Sequence, residues 1–153
     1  MVVRAFLSEE EEGAWRGLLE THATLVSALD ARLLAEHNMP PGSVEALIQI
    51  AHAEGGAISV SELAERIGLS PSRASRLAID LERQGLVKRE RSSSDSRSTE
   101  VAATDAGRAR LLEAAPTFFE VIRERLVDPL DERELRQLGR IWQRLRAARV
   151  GSG

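Results

Sequence analysis

Two closely spaced sets of helix start and stop signals between residues 59 and 85 constrain the fold more than anything else in the chain. Ser59-Val60-Ser61-Glu62 reads as a capping box, in which the serine accepts from an early helical N–H and the glutamate reaches back. It opens a short helix that turns Leu63, Ala64 and Ile67 inward, and Gly68 stops it where a left-handed residue is wanted. Ser70 then caps a new helix with Pro71 in its first turn, where a missing N–H costs nothing. Ala74, Leu77, Ala78 and Leu81 form its apolar stripe to about Gln84, and Gly85 ends it. Two short helices about a three-residue turn containing glycine are the helix-turn-helix arrangement.

The other face of the second helix sets what such a hairpin can do. Ser72, Arg73, Ser75 and Arg76 gather at its exposed N-terminal end, with Asp80 and Arg83 further along. In a helix-turn-helix those first residues meet base edges in the major groove. Short serines let the helix approach a duplex, while arginines reach guanine or phosphate. The alternative is a solvated face with arginine as the default cation. Of the 21 basic residues 20 are arginine and Lys88 is the one lysine, a bias that GC-rich genomes also produce.

Beyond Gly85, Leu86-Val87-Lys88-Arg89-Glu90-Arg91 is too short for a helix and reads as a strand, as does Thr99-Glu100-Val101-Ala102-Ala103. Between them lies a serine-rich tip, 92–98, that holds Asp95 and Arg97. The pair makes a hairpin, and a cationic hairpin after a recognition helix is a wing. Its tip can place an arginine in a narrow minor groove, and Arg97 is the best candidate. Asp95 repels phosphate, so it either directs a neighbouring arginine or merely suits a turn.

Composition supports a compact unit: 153 residues, 42% hydrophobic and 29% charged, are enough for a core and too apolar for a disordered chain. Cysteine is absent, which excludes disulfides, thiol redox sensing, zinc–cysteine sites and cysteine nucleophiles. The net charge of −3 argues against a nucleic-acid partner until it is resolved along the chain. Residues 1–65 carry a net −8, residues 66–97 a net +4 and residues 98–153 a net +1. No apolar run is long enough for a bilayer, and the N-terminus turns acidic at once, unlike a signal peptide. The expected location is the cytoplasm, on the nucleoid when DNA is bound.

The flanks are helical. Ser8-Glu9-Glu10-Glu11 is a capping box before a long helix to about Glu36, with Trp15, Leu18, Leu19, His22, Leu25, Val26, Leu29 and Leu33 on one stripe. A break at 37–42 precedes a helix from Ser43 that carries Val44, Leu47, Ile48 and Ala51 and ends at Gly55-Gly56. A further helix from Thr104 presents Leu111, Leu112, Ala115, Phe118, Phe119, Ile122 and Leu126, with Pro116 expected to kink or divide it. Pro129 and the box Asp131-Glu132-Arg133-Glu134 reset the chain, and a last helix shows Leu135, Leu138, Ile141, Trp142 and Leu145. These faces exceed what a small winged domain covers, and leftover apolar surface usually meets a partner. A two-fold pairing would set two recognition helices about one DNA turn apart; the alternative is packing within one chain. The expected fold is mainly α with a small β-wing, as one unit over 1–153. Its winged helix-turn-helix spans 43–103, with the recognition helix at 70–84 and the wing at 86–103. Helices at 8–37 and 104–148 flank it for dimerisation.

Residues 59–70 resemble the first half of the winged helix-turn-helix of the MarR (multiple antibiotic resistance regulator) family. Leu81-Glu82-Arg83-Gln84-Gly85-Leu86-Val87-Lys88-Arg89 is similar to that family's link from recognition helix to wing. Asp95-Ser96-Arg97 and Thr104-Asp105-Ala106-Gly107 resemble its wing tip and the start of its next helix, and these are the specific part of the match. The resemblance implies a dimeric regulator of transcription, a repressor, on a short inverted repeat of double-stranded DNA. It places Arg97 in the minor groove and makes Asp95 orient an arginine. Ser70, Ser72, Arg73, Ser75 and Arg76 would occupy the major groove or hold its phosphates, and Ser59, Ser61, Lys88 and Arg91 complete the DNA-binding set. The wing Ser-Ser-Ser-Asp-Ser-Arg-Ser is less basic than in many members, which predicts a shallower salt dependence.

The resemblance also implies release by a small aromatic or phenolic anion. Candidate contacts are Trp15, Arg16 and His22 on the first helix and His52 on the second, although core or interface roles suit Trp15 and His22 as well. Catalytic and metal residues are not expected, nor is a cofactor: the three histidines lack metal spacing, and no phosphate loop or nucleophile elbow occurs. The contiguous glutamates 9–12 point around their helix and suit a cap. The competing function is a winged helix that binds protein and no specific DNA.

Overall fold

The computed structural model describes residues 6–91 and 98–150. Helix α1 (Glu9–His37) leads to α2 (Pro41–Ala51), a 3-10 turn and strand β1 (Ala57–Ser59). Helices α3 (Val60–Ile67) and α4 (Pro71–Arg83) follow, then strands β2 (Val87–Arg91) and β3 (Thr99–Ala103). Helix α5 (Asp105–Ile122), a π-helical stretch at Arg123–Val127 and α6 (Glu132–Val150) complete the chain. This is the mainly α architecture with a small β-wing expected from the sequence. Among the described residues no helix is long and apolar enough to cross a membrane.

Local signals act largely as read. Ser8 and Glu11 close a reciprocal capping box on α1, and Asp131 and Glu134 do the same before α6. At α3 only half the expected box forms. Ser59 Oγ accepts from Glu62 N–H at 3.1 Å, while the Glu62 carboxylate turns to Arg66 at 2.6 Å. Gly68, at φ 68°, makes the left-handed stop of α3, with Leu69 N–H reaching back to the Ala64 carbonyl. Helix α2 opens at Pro41, not Ser43, because Pro40 takes the cap position and Pro41 the first turn, where neither needs an N–H. It is more deeply enclosed than its expected stripe: Ser43, Ala46 and Ile50 are buried beside Val44, Leu47 and Ile48, whereas Ala51 is exposed. Pro116 does not divide α5. It and Leu112, whose carbonyl loses its usual donor, lie on the exposed side where water can replace the missing bond.

Strand β1 is an addition to the expected hairpin. The sheet order is β1-β3-β2, all antiparallel, with Ile58 opposite Val101 and Arg89 also opposite Val101 on the other side. Buried Ile58, Val87 and Val101 tie the sheet to a core of Val44, Leu47, Ile50, Leu63, Ala78 and Leu81. That core continues through Leu29 and Leu33 of α1 to Ala114, Phe118 and Val121 of α5.

The Thr-Asp-Ala-Gly motif locks the wing to α5. Thr104 Oγ1 donates to the Gly85 carbonyl at 2.7 Å and accepts from Gly107 N–H at 3.0 Å, so one hydroxyl caps α5 and holds the end of α4. Gly107 packs on the backbone of Leu86 so closely that a Cβ there would lie 1.9 Å from the Leu86 carbonyl oxygen. A polar joint fastens α1 to α5. Thr117 Oγ1 donates to Glu36 at 3.0 Å and stands 2.8 Å from His37 Nε2. With its single proton given to Glu36, the hydroxyl must accept from His37, which places a proton on Nε2. Arg32 adds contacts to Glu120 at 2.6 Å and Glu36 at 3.2 Å. The Thr117 bond, and after it Arg32, holds the Glu36 carboxyl below its ordinary pKa, while Glu120 and Glu36 raise that of Arg32.

Candidate nucleic-acid interface

The first turns of α4 project from the body of the chain. Ser70 Oγ is the cap, 3.3 Å from Ser72 Oγ and 3.4 Å from Arg73 N–H. Ala74, Ala78 and Leu81 anchor the opposite face, which leaves Ser72, Arg73 and Arg76 exposed and Ser75 half-buried. Arg76 leans back along the helix, its Nε 3.4 Å from the Ser72 carbonyl. On β2, an edge strand, Val87 points inward while Lys88 and Arg91 are exposed. Ser59 is the cap of α3, so its oxygen already serves Glu62. Asp95 and Arg97 lie outside the described residues.

Ion pairing separates these cations from their neighbours. Arg66 is paired with Glu62 at 2.6 Å and Arg83 with Asp80 at 3.5 Å. Among the described residues Arg73, Arg76, Lys88 and Arg91 have no carboxylate partner. Cations left unneutralised on one face keep their field for an external anion.

Between α3, α4 and the hairpin runs a crevice of about 150 Å³, lined by Val60, Ser61, Ser75, Arg89, Ser98 and Thr99. It brings together Ser61 and Ser75 from the expected set, with a cation the sequence reading had placed only in a strand. The Arg89 backbone N–H donates to Glu82 at 3.0 Å, and its Nε, buried and without a hydrogen bond among the described residues, stands 3.8 Å from the same carboxylate. The available signal was strand alternation: Val87 and Arg89 share a face, so a cation occupies an inward position.

The four candidate ligand contacts are placed differently. Trp15 is 55% exposed, and Arg16 and His22 are also exposed on the first half of α1. Neither Trp15 nor His22 is buried within the chain. Arg16 pairs with Glu12 at 2.6 Å. His52 is exposed at the end of α2, with Nδ1 2.9 Å from the Ile48 carbonyl. None of the four lines the crevice or the cavity at the start of α2. Among the described residues no group of three or more His, Asp or Glu side chains is placed to hold a metal.

Residues 37–98, the segment from the end of α1 through the hairpin, match the family model described as the MarR family. The chain superposes on Sco3205, a MarR family transcriptional regulator from Streptomyces coelicolor solved in complex with DNA, with a TM-score of 0.87 and 29% identity over 94% of this chain and 90% of that one. The chain has the MarR winged-helix fold. AbsC, a MarR family transcriptional regulator from the same organism, gives a TM-score of 0.86 and 26% identity over 96% of this chain and 99% of that one. The M. tuberculosis transcriptional regulator MOSR, also solved with DNA, gives 0.70 and 26% over 89% of this chain and 98% of that one. No curated protein matches the chain in sequence. The MarR-type resemblance read from residues 59–107 therefore extends to the fold of nearly the whole chain.

Proposed function

We propose that this MarR-type protein is a transcription regulator that binds double-stranded DNA, and not an enzyme. The observation that carries this reading is the set of unpaired cations at the start of α4 and along β2, on a fold shared with the DNA-bound Sco3205. The first turns of α4 enter the major groove, where Arg73 and Arg76 meet bases or phosphates beside Ser70, Ser72 and Ser75. Lys88, Arg91 and Arg97 follow the backbone or the minor groove, with Asp95 as a guide and Ser59 and Ser61 at the flank.

The regulator acts as a homodimer on an inverted repeat. Supporting this, Trp15, Leu18, Leu19 and Val26 of α1 and Ile141 and Leu145 of α6 are exposed. Those helices are the dimerisation parts, 8–37 and 104–148, around the DNA-binding part at 43–103. By analogy with the resemblance, it works in the cytoplasm as a repressor released by a small aromatic anion near Trp15, Arg16, His22 and His52. Binding to mixed genomic fragments at two salt concentrations tests the central claim: affinity falls steeply as salt rises. Affinity that ignores salt and the joint loss of Arg76 and Arg97 would leave the protein-only reading in its place.

A further inference from the structure

The crevice between α3, α4 and the hairpin is lined by hydroxyls and a cation: Ser61, Ser75, Ser98, Thr99 and Arg89, with Val60 as its apolar edge. Among the described residues no carboxylate lines it. The Arg89 side chain is only 27% exposed, and its Nε is enclosed without a hydrogen bond among the described residues. Glu82 does not settle that charge. One of its oxygens takes the Arg89 backbone N–H at 3.0 Å, and the other stops 3.8 Å from Nε, beyond hydrogen-bond reach. Buried polar groups are normally satisfied, so an enclosed guanidinium with an unmet N–H points to a partner from outside the chain.

Size and chemistry together define that partner. A volume of about 150 Å³ holds about five waters at about 30 Å³ each, well below the roughly 300 Å³ at which organic-ligand pockets begin. A base or an aromatic acid does not fit, whereas a tetrahedral oxyanion does. A guanidinium offers its planar fork to a pair of such oxygens, and hydroxyls donate to the others. Val60 and Ser61 also open α3, and the first turn of a helix favours negative charge. We propose that this crevice binds a single phosphate group, with Arg89 as its counter-charge and Ser61, Ser75 and Thr99 as its donors. The group belongs to free phosphate or to the backbone of a bound duplex. The duplex source rests on the DNA-binding reading, and the free ion does not. On a duplex, one phosphate held jointly by α3, α4 and both strands of the hairpin positions the recognition helix without reading sequence.

Two measurements on the full chain test this. In the first, sodium phosphate is titrated without DNA against sodium chloride of equal ionic strength, followed by amide NMR shifts. In the second, binding to mixed genomic fragments is measured across salt concentrations. If the free ion is a ligand, phosphate gives saturable shifts centred on residues 60–61, 75, 89 and 98–99 that chloride does not give. Thr99→Val then weakens it about threefold and Arg89→Gln about tenfold or more. If a duplex supplies the group, Arg89→Gln weakens binding to the fragments and lowers the salt slope by about one, and Thr99→Val weakens it about threefold. Valine keeps the shape of threonine and suits a strand, so Thr99→Val decides the matter where Arg89→Gln fails to fold. Phosphate-specific shifts in a chain that binds no DNA would remove the regulatory reading and keep this site. The proposal is overturned if phosphate acts as chloride does and, in addition, the chain binds no DNA or binds it with a salt slope unaltered by Arg89→Gln. Where that variant is unfolded, DNA affinity unaltered by Thr99→Val takes the place of the unaltered slope.

Discussion

Helices α4 and α6 look alike as sequence: each is amphipathic, rich in arginine and opened by a good N-terminal signal. Their fates differ. In α4 the stripe of Ala74, Ala78 and Leu81 is buried by the chain itself, whereas none of the described residues of α6 is buried, Trp142 included. The contrast recurs inside α1, where Leu33 is fully buried and Trp15 is 55% exposed on the same stripe. Periodicity reports which face is apolar. It does not report whether the cover comes from the same chain.

Variants can break this contrast. The largest effect belongs to the enclosed side. Leu81→Ala empties a buried position and lowers stability by about 3 kcal/mol, a drop in melting temperature of roughly 6–12 °C for a chain of this size. Gly107→Ala costs about as much, since its methyl group must displace the Leu86 carbonyl. Thermal melts check both, and little change in either would mean that the core boundary is misplaced.

On the bare side, Leu145→Glu leaves the fold of one chain intact by circular dichroism and halves the mass seen in sedimentation. An unchanged mass would move the dimer contact away from α6. Next in size is Arg76→Ala, which lowers DNA affinity by about 1–3 kcal/mol and flattens the salt slope by about one. Arg66→Ala, which removes a cation already paired with Glu62, changes it far less. Equal losses from the two would show that pairing does not select the interface.

The smallest effect tests the joint between α1 and α5. Thr117→Val removes the bond that most lowers the Glu36 pKa. A carboxyl whose folded pKa is depressed adds stability above its unfolded value and loses it as pH falls through the folded one. The variant is therefore slightly less stable near pH 7 and loses less on acidification. Melting curves at neutral and acid pH read this directly; parallel curves for the two proteins would remove Glu36 from the joint.

Much of the interface was legible because its signals are local. Caps at Ser59 and Ser70, the glycine stop at residue 68 and the alternation of β2 each act within a few residues of themselves. What escaped depends on distant chain. Strand β1 is three residues long and exists by pairing with β3, whose Val101 lies far along the sequence from Ile58. The half-formed box at Ser59 was lost to Arg66, a competitor that spacing alone does not rank. Arg89 entered the crevice through the packing of α3, α4 and the hairpin together.

The sequence by itself determined where helices start and stop, which faces are apolar and where positive charge gathers, since these follow from backbone capping, side-chain period and composition. Only the tertiary structure decided which apolar stripes are covered and which cations remain unpaired. Burial and pairing are settled by whatever long-range packing brings alongside, and no local rule contains that information.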